Sequence, residues 1–341
     1  DDSNSRLTNY VQHEYGLLST SHGAGPSDLR VRWLNDSETN RPIQRVVRPP
    51  VGISDRGVCF FDTKGHRFEL SLEEFGTEEY TVWVDPQFNA HFFAIALEYL
   101  IAYLLGLHSN YLCHASCVKI NGQVLLFPAW RHTGKTNLLL ELLADGAQYI
   151  ADDWVIVSDQ GEVLGLPKRL NLLHYNFVAH SELLGRLPQS FQSLHSFVRR
   201  AEDGEFDLNT EVLDQLREQA RMRISVHELF DRPALTSREA VDRVVVLVNS
   251  PDSISGIRIS DATAHESAAA LSGILNFEQQ YFLTAIDAYQ GLLCQRNSRL
   301  IKAKESMSQC IVQSMQKINH HQRLDIADQN SLHSVLPWLL N

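Results

Sequence analysis

Three hundred and forty-one residues allow one large domain or two ordinary ones. Hydrophobic residues at 44% and charged residues at 21% suffice for a sizeable core and exclude a disordered chain. A formal net charge of −11 argues against a nucleic-acid or anionic-membrane surface, either of which needs dense positive charge. Five cysteines (Cys59, Cys113, Cys117, Cys294 and Cys310) do not make a disulfide framework, and the odd number fits a reducing compartment. The chain begins at Asp1, and nothing near its start reads as a secretion signal. The longest apolar run, 92–105, contains Glu98 and falls short of the ~20 residues of a bilayer span. A soluble protein of the cytoplasm is expected.

Residues 1–45 are polar and weakly periodic, with Gly23, Gly25 and Pro26 in a loop-like patch, which predicts a frayed start followed by short strands. Segments 58–62, 67–72 and 80–84 hold β-branched and aromatic residues between Asp, Gly and Glu, the pattern of a small antiparallel sheet. From 89 to 107, apolar residues cover most of a helical surface, and Gly106 is expected to close the helix. A helix apolar nearly all round is a buried one, so this helix should pack beneath a sheet.

Segments 115–120 and 123–127 are joined by Asn121-Gly122, the strongest short hairpin signal. A loop at 128–133 leads into a helix over 135–144, with Leu138, Leu139, Leu142 and Leu143 on its stripe and Asp145-Gly146 as its stop. A strand over 149–157 contains Asp152-Asp153, and Asp159-Gln160-Gly161 turns the chain into strands at 163–166 and 169–173. Residues 178–222 read as polar helix and 244–248 as a strand buried on both faces. A strand at 257–260, helices to about 318 and an apolar tail at 335–340 complete the chain.

Between the 123–127 strand and the 135–144 helix lies Ala129-Trp130-Arg131-His132-Thr133-Gly134-Lys135-Thr136. A phosphate-binding P-loop has Gly, four free positions, then Gly-Lys-Ser/Thr, set between a strand and a helix. Backbone N–H groups of such a loop gather around an anion, and the helix N-terminus adds partial positive charge. Its lysine reaches the β- and γ-phosphates, and its hydroxyl helps hold Mg²⁺. Here Ala129 replaces the first glycine. Residues 130–137, with Asn137 opening the helix, are the candidate nucleotide contacts.

Such a loop needs a carboxylate near the metal, and Asp152-Asp153 lies 16 residues past Thr136 at its nearer member. A pair allows two jobs, one acid on Mg²⁺ and one accepting the proton of an attacking hydroxyl. A turn is the other use of such aspartates. It is disfavoured here, because 154–157 continues the strand. Cys113, His114 and Cys117 lack a second Cys/His pair at zinc spacing. His320, His321 and His333 read as surface or tail residues. The acidic run Glu202, Asp203, Glu205, Asp207, Glu211 and Asp214 is a solvated face or a landing site for a basic substrate. Arg221 and Arg223 either pair with that run or clamp the transferred phosphoryl group.

Residues 114–172 resemble the kinase domain of HPr kinase/phosphorylase and its relatives. The matching features are His114-Ala115-Ser116 ahead of the loop, the strand into Gly134-Lys135-Thr136, a leucine-rich helix with a following glycine, and the apolar strand ending in Asp152-Asp153. Gly165-Leu166-Pro167-Lys168-Arg169 is similar to the segment after the acidic pair in kinase-like relatives. The resemblance implies an α/β P-loop kinase core of the HPr kinase type, related in fold to phosphoenolpyruvate carboxykinase. It further implies that Lys135 and residues 130–134 hold the triphosphate of ATP, with Thr136 and Asp153 on Mg²⁺. Asp152 would be the general base and His114 would orient the acids, although the two aspartates could exchange roles. No acid stands in 164–172, where the family proper carries a Glu-Ile-Arg-Gly segment, so neither phosphorylase activity nor HPr as acceptor is expected.

The expected organisation is an N-terminal α+β region at 1–108, the P-loop domain at 109–262 and a helical C-terminal extension at 263–341. The expected activity is an ATP- and Mg²⁺-dependent kinase acting on a hydroxyl of a peptide, a protein or a small molecule. A nucleotide-binding regulatory or scaffold protein with little turnover is the alternative. Self-association into a homo-oligomer stays open.

Overall fold

The computed structural model describes residues 2–340 apart from 16–28, 36–37, 39–44, 49–50, 55, 78–79, 167, 251–255, 294–297 and 328. The Gly23–Pro26 patch, Pro167, Pro251, Asp252 and Cys294 therefore lie outside the described residues. The fold is mixed α/β, and the chain divides into two compact units. One comprises residues 1–113, 156–161 and 268–317; the other comprises 114–155, 162–267 and 318–341. This differs from the three consecutive regions read from sequence, because residues 268–317 group with the N-terminal segment and 318–341 with the loop-bearing unit. Among the described residues, no helix is long and apolar enough to cross a membrane.

In the first unit the start is a helix, Asp2–Tyr15, where sequence suggested fraying. A six-stranded sheet follows, built from β1 (Leu29–Trp33), β2 (Arg45–Arg48), β3 (Val51–Ile53), β4 (Val58–Phe61), β5 (Arg67–Leu70) and β6 (Tyr80–Val84). Its order is β1-β6-β5-β4-β3-β2, antiparallel except for the β1–β6 pair. The Asn89 side chain caps helix Ala90–Gly106 by accepting from the N–H groups of His91 and Phe92. Phe93 of that helix meets Phe68 of β5 edge-on at 5.5 Å, so the all-round apolar helix does lie against the sheet. The helix ends at Gly106, as expected, but without a left-handed glycine cap: a Cβ there would come within 2.6 Å of the Ala303 carbonyl oxygen in helix Ser298–Lys317.

The second sheet has nine strands. They are β7 (Asn110–Ile120), β8 (Gln123–Pro128), β9 (Gln148–Ala151), β10 (Trp154–Ser158), β11 (Glu162–Gly165), β14 (Glu239–Ala240), β15 (Arg243–Asn249), β16 (Ile257–Asp261) and β17 (His320–Ile326). Their order is β14-β11-β10-β7-β8-β15-β17-β16, with β9 also paired to β7. A separate two-stranded ribbon pairs β12 (Leu170–Leu172) with β13 (Met222–Ile224). Asn121 and Gly122 turn the β7–β8 hairpin with φ of 51° and 81°, as the dipeptide predicts. Strands β8, β15 and β17 run parallel, and helix Lys135–Ala144 follows β8. Leu138, Leu139, Leu142 and Leu143 bury completely with Val118, Leu125, Phe127, Val245 and Leu247. Each such side chain contributes about 1.5–3 kcal/mol when removed from water. The 335–340 tail joins this core through Val335 and Leu339.

The expected helical extension is interrupted: after helix Ser298–Lys317, β17 enters the sheet between β15 and β16, and a short 3₁₀ segment at Gln329–Val335 and a helical turn at Leu336–Leu339 follow. His321 bonds to Ser267 Oγ and the Ile318 carbonyl, correcting its reading as a surface residue. Asp325 accepts from Arg323, Ser250 and Arg258.

Candidate functional site

Ala129 follows β8 directly and makes a parallel bridge to Leu247. It is fully buried and its φ is not positive, so alanine fits where the motif has glycine. Beyond it the backbone is left-handed at His132 (φ 60°) and Gly134 (φ 96°), but not at Thr133 between them. Such alternation aims successive N–H groups to one side and forms an anion-binding concavity. Thr133 Oγ1 pins the loop by donating to the Trp130 carbonyl at 2.8 Å. Gly134 N-caps the helix, whose first residues are Lys135 and Thr136.

Adjacent residues of a regular strand point to opposite faces, so Asp152 and Asp153 could not share a site in an unbroken strand. The chain breaks there. Asp153 is left-handed at φ 66°, and the Trp154 N–H donates to the Asp152 carbonyl at 2.9 Å. The tight turn disfavoured from sequence is therefore present, set between β9 and β10 along one edge of β7. It brings both carboxylates to Lys135, whose Nζ lies 2.9 Å from Asp153 Oδ1 and 4.0 Å from Asp152 Oδ1.

The two acids then differ. Asp152 is buried and accepts from Ser116 Oγ at 2.5 Å and from Thr136 Oγ1 at 3.0 Å. Burial, reinforced by Asp153, pushes its carboxyl up against the pull of Lys135. Asp153 is 38% exposed at the mouth. Burial pushes its carboxyl up, but Lys135, Lys168 and His114 outweigh this and hold it below the usual carboxylate range.

His114 receives its orientation from the backbone. Its Nδ1 lies 2.8 Å from the Ala129 carbonyl oxygen, which can only accept, so the proton is on Nδ1. Nε2 is left to accept from Lys135 Nζ at 3.3 Å and stands 4.0 Å from Asp153. The histidine thus steadies the lysine rather than the acids. Burial, with Lys135 beside it, drops the imidazole from 6.5 to about 3. The unfolded chain therefore binds a proton below pH 6.5 that the folded chain refuses. Stability from this group is full above pH 6.5 and declines as pH falls toward 3. We expect His114→Asn to flatten that acid loss relative to wild type, measured as urea midpoints from pH 7 to pH 4.

Five expected site residues therefore come together: His114, Lys135, Thr136, Asp152 and Asp153. Asn137 does not join them; it is buried and its Oδ1 accepts from Asn176 Nδ2 at 2.6 Å. Arg221 lies just before β13 and pairs with Glu218 at 2.8 Å, while Arg223 lies within β13 opposite Asn171. Trp130 is 40% exposed, and Arg131 acts electrostatically on His114. Ser116, Lys168 and Tyr175 are additions. Ser116 was legible, since period two puts it on the face of β7 that carries His114.

Among the described residues, no group of three or more His, Cys, Asp or Glu could hold a metal ion alone. Mg²⁺ in nucleotide sites needs only one or two carboxylates besides phosphates and waters. The adjacent hard oxygens of Thr136 and Asp152 fit that requirement. Cys59, Cys113, Cys117 and Cys310 are free and buried. No protein-family model matches the chain, and no curated protein matches it in sequence.

Proposed function

We propose that residues 129–136 form a P-loop and that the chain is an ATP- and Mg²⁺-dependent kinase of the HPr kinase type, phosphorylating a hydroxyl of a peptide, a protein or a small molecule. One observation carries the reading: the Lys135 ammonium meets Asp153 and His114 while Thr136, next in sequence, hydrogen-bonds Asp152. A lysine held at a loop mouth beside two acids, one exposed and one tied to the loop hydroxyl, suits phosphoryl transfer better than simple packing.

The geometry also favours an order for the acids. Thr136 and Asp152 would hold Mg²⁺, which, when bound, neutralises charge on the β- and γ-phosphates. Asp153, less buried and kept ionised, is placed for the base. Nucleotide entry draws Lys135 from Asp153 onto the phosphates and frees that carboxylate. The acceptor oxygen then bonds to the γ-phosphorus, the bond from that phosphorus to the β–γ bridging oxygen breaks, and ADP leaves. The acceptor proton passes to Asp153. His114 keeps Lys135 aligned throughout. The test is incubation with γ-labelled ATP, Mg²⁺ and a lysate-derived acceptor pool. Label should appear on a hydroxyl in the pool; nucleotide binding without any transfer would favour the regulatory alternative.

A further inference from the structure

We infer that Asn249, at the carboxyl end of β15, donates its side-chain amide to the terminal phosphate of the bound nucleotide and so gives the site a preference for ATP over ADP. The inference rests on the phosphate-loop reading and adds to it the residue that reads the length of the polyphosphate.

The sheet order gives the loop two flanks. β8, which leads into it, lies between β7 and β15. Beyond the loop and its helix, the side chains placed at the site so far come from the β7 flank. His114 and Ser116 are on β7, and β9, which pairs with β7, leads into Asp152 and Asp153. On the other flank β15 runs parallel to β8, so its carboxyl end emerges beside the loop. Open α/β sheets take their ligands outside such strand ends.

Register fixes which residue emerges there and on which face. The Ala129 N–H donates to the His114 carbonyl at 3.3 Å, and Ala129 bridges Leu247, so His114, Ala129 and Leu247 form one row across three strands. Ser116 pairs with Phe127 in the row before it. Val245 and Leu247, together with Leu125 and Phe127, pack with the leucines of helix Lys135–Ala144. Side chains alternate along a strand, so Asn249 shares this face, about 7 Å beyond Leu247. It is exposed where Val245 and Leu247 are fully buried. The same face carries His114, which meets Lys135.

The backbone of Asn249 is held in place before nucleotide arrives. Asn249 pairs with Ile326 of β17, the Ser250 N–H donates to the Ile326 carbonyl at 2.8 Å, and Ser250 Oγ donates to the buried Asp325 at 2.9 Å. The residue type suits the position. Loop and helix N-terminus enclose the inner phosphates, and the terminal one projects toward the neighbouring strand. A carboxylate at 249 would add a third negative charge to those of Asp152 and Asp153. The carboxamide adds none and brings two N–H donors, which bond strongly to a charged oxygen.

The test is isothermal titration of wild type, Asn249→Ala and Asn249→Asp with ADP–Mg²⁺ and with the non-hydrolysable β,γ-imido analogue of ATP, with thermal melts to confirm folding. Asn249→Ala should weaken the triphosphate about tenfold, the scale of one hydrogen bond to a charged group, and ADP by less than about twofold. Asn249→Asp should weaken the triphosphate further still and ADP by less than about threefold, because the new charge faces the third phosphate. A structural role alone would lower both nucleotides equally in each variant. Unchanged triphosphate affinity in Asn249→Ala, or equal losses for the two nucleotides, would overturn the inference while leaving the phosphate loop standing. Failure of the phosphate-loop reading is distinct: wild type would bind neither nucleotide, and both would fall.

Discussion

Lys135→Ala should raise the dissociation constant for ATP–Mg²⁺ more than 100-fold, a loss above about 2.7 kcal/mol by the relation of affinity to free energy. The lysine is buried with its ammonium 2.9 Å from Asp153 and 3.3 Å from His114. It is thus held in place before nucleotide arrives, and little ordering is lost on binding. Removing it deletes the loop's own cation and leaves two acids facing an anion. The same change breaks an ion pair, so the fold must be checked alongside. Asp153 is 38% exposed, and the lost pairing should cost well below the 3–5 kcal/mol of a fully buried pair. Lys135→Arg supplies the second arm, since it keeps the charge but not the ammonium geometry. Isothermal titration of both variants, with thermal melts to confirm folding, decides the point. ATP–Mg²⁺ binding by a folded Lys135→Ala variant within threefold of wild type would remove the phosphate-loop reading.

The second large effect separates the acids. Asp153→Asn should reduce transfer about 10²–10⁴-fold, the range for removing a positioned general base. ATP affinity should hold or tighten, because Lys135 no longer has to leave an ion pair. Asp152→Asn should instead raise the Mg²⁺ concentration for half-maximal rate by tenfold or more. That carboxylate is buried and engaged at Oδ1 by Ser116 and at Oδ2 by Thr136. Rates measured across a Mg²⁺ series distinguish the two. If Asp152→Asn lost transfer at unchanged Mg²⁺ dependence while Asp153→Asn shifted that dependence, the roles would be exchanged.

Much of the loop-bearing unit was legible because its signals are local. Asn121-Gly122 dictates a hairpin, four leucines dictate one helix face, and Gly134-Lys135-Thr136 marks the junction between strand and helix. What escaped depends on tertiary contacts. Strand β17 reads His-His-Gln-Arg-Leu-Asp-Ile, too polar for a strand inside a sheet. Its burial becomes affordable only when Ser267, Ser250 and Arg258 supply partners from elsewhere in the chain. Gly106 was legible as a helix end, but not the close approach of the adjacent helix that excludes a side chain there. At the site, the adjacent acids were legible in sequence, whereas the turn that brings both to Lys135, and their division of labour, were not. That division comes from the left-handed turn at Asp153 and from Ser116 across the sheet.

Amide hydrogen exchange across residues 130–137, with and without ATP–Mg²⁺, reads the proposed anion concavity directly. Saturating nucleotide should slow exchange there at least tenfold in wild type, with no such change in folded Lys135→Ala at the same nucleotide concentration. Unchanged exchange through that stretch at millimolar ATP–Mg²⁺ would contradict the account, because N–H groups wrapped around a polyphosphate cannot stay open to solvent.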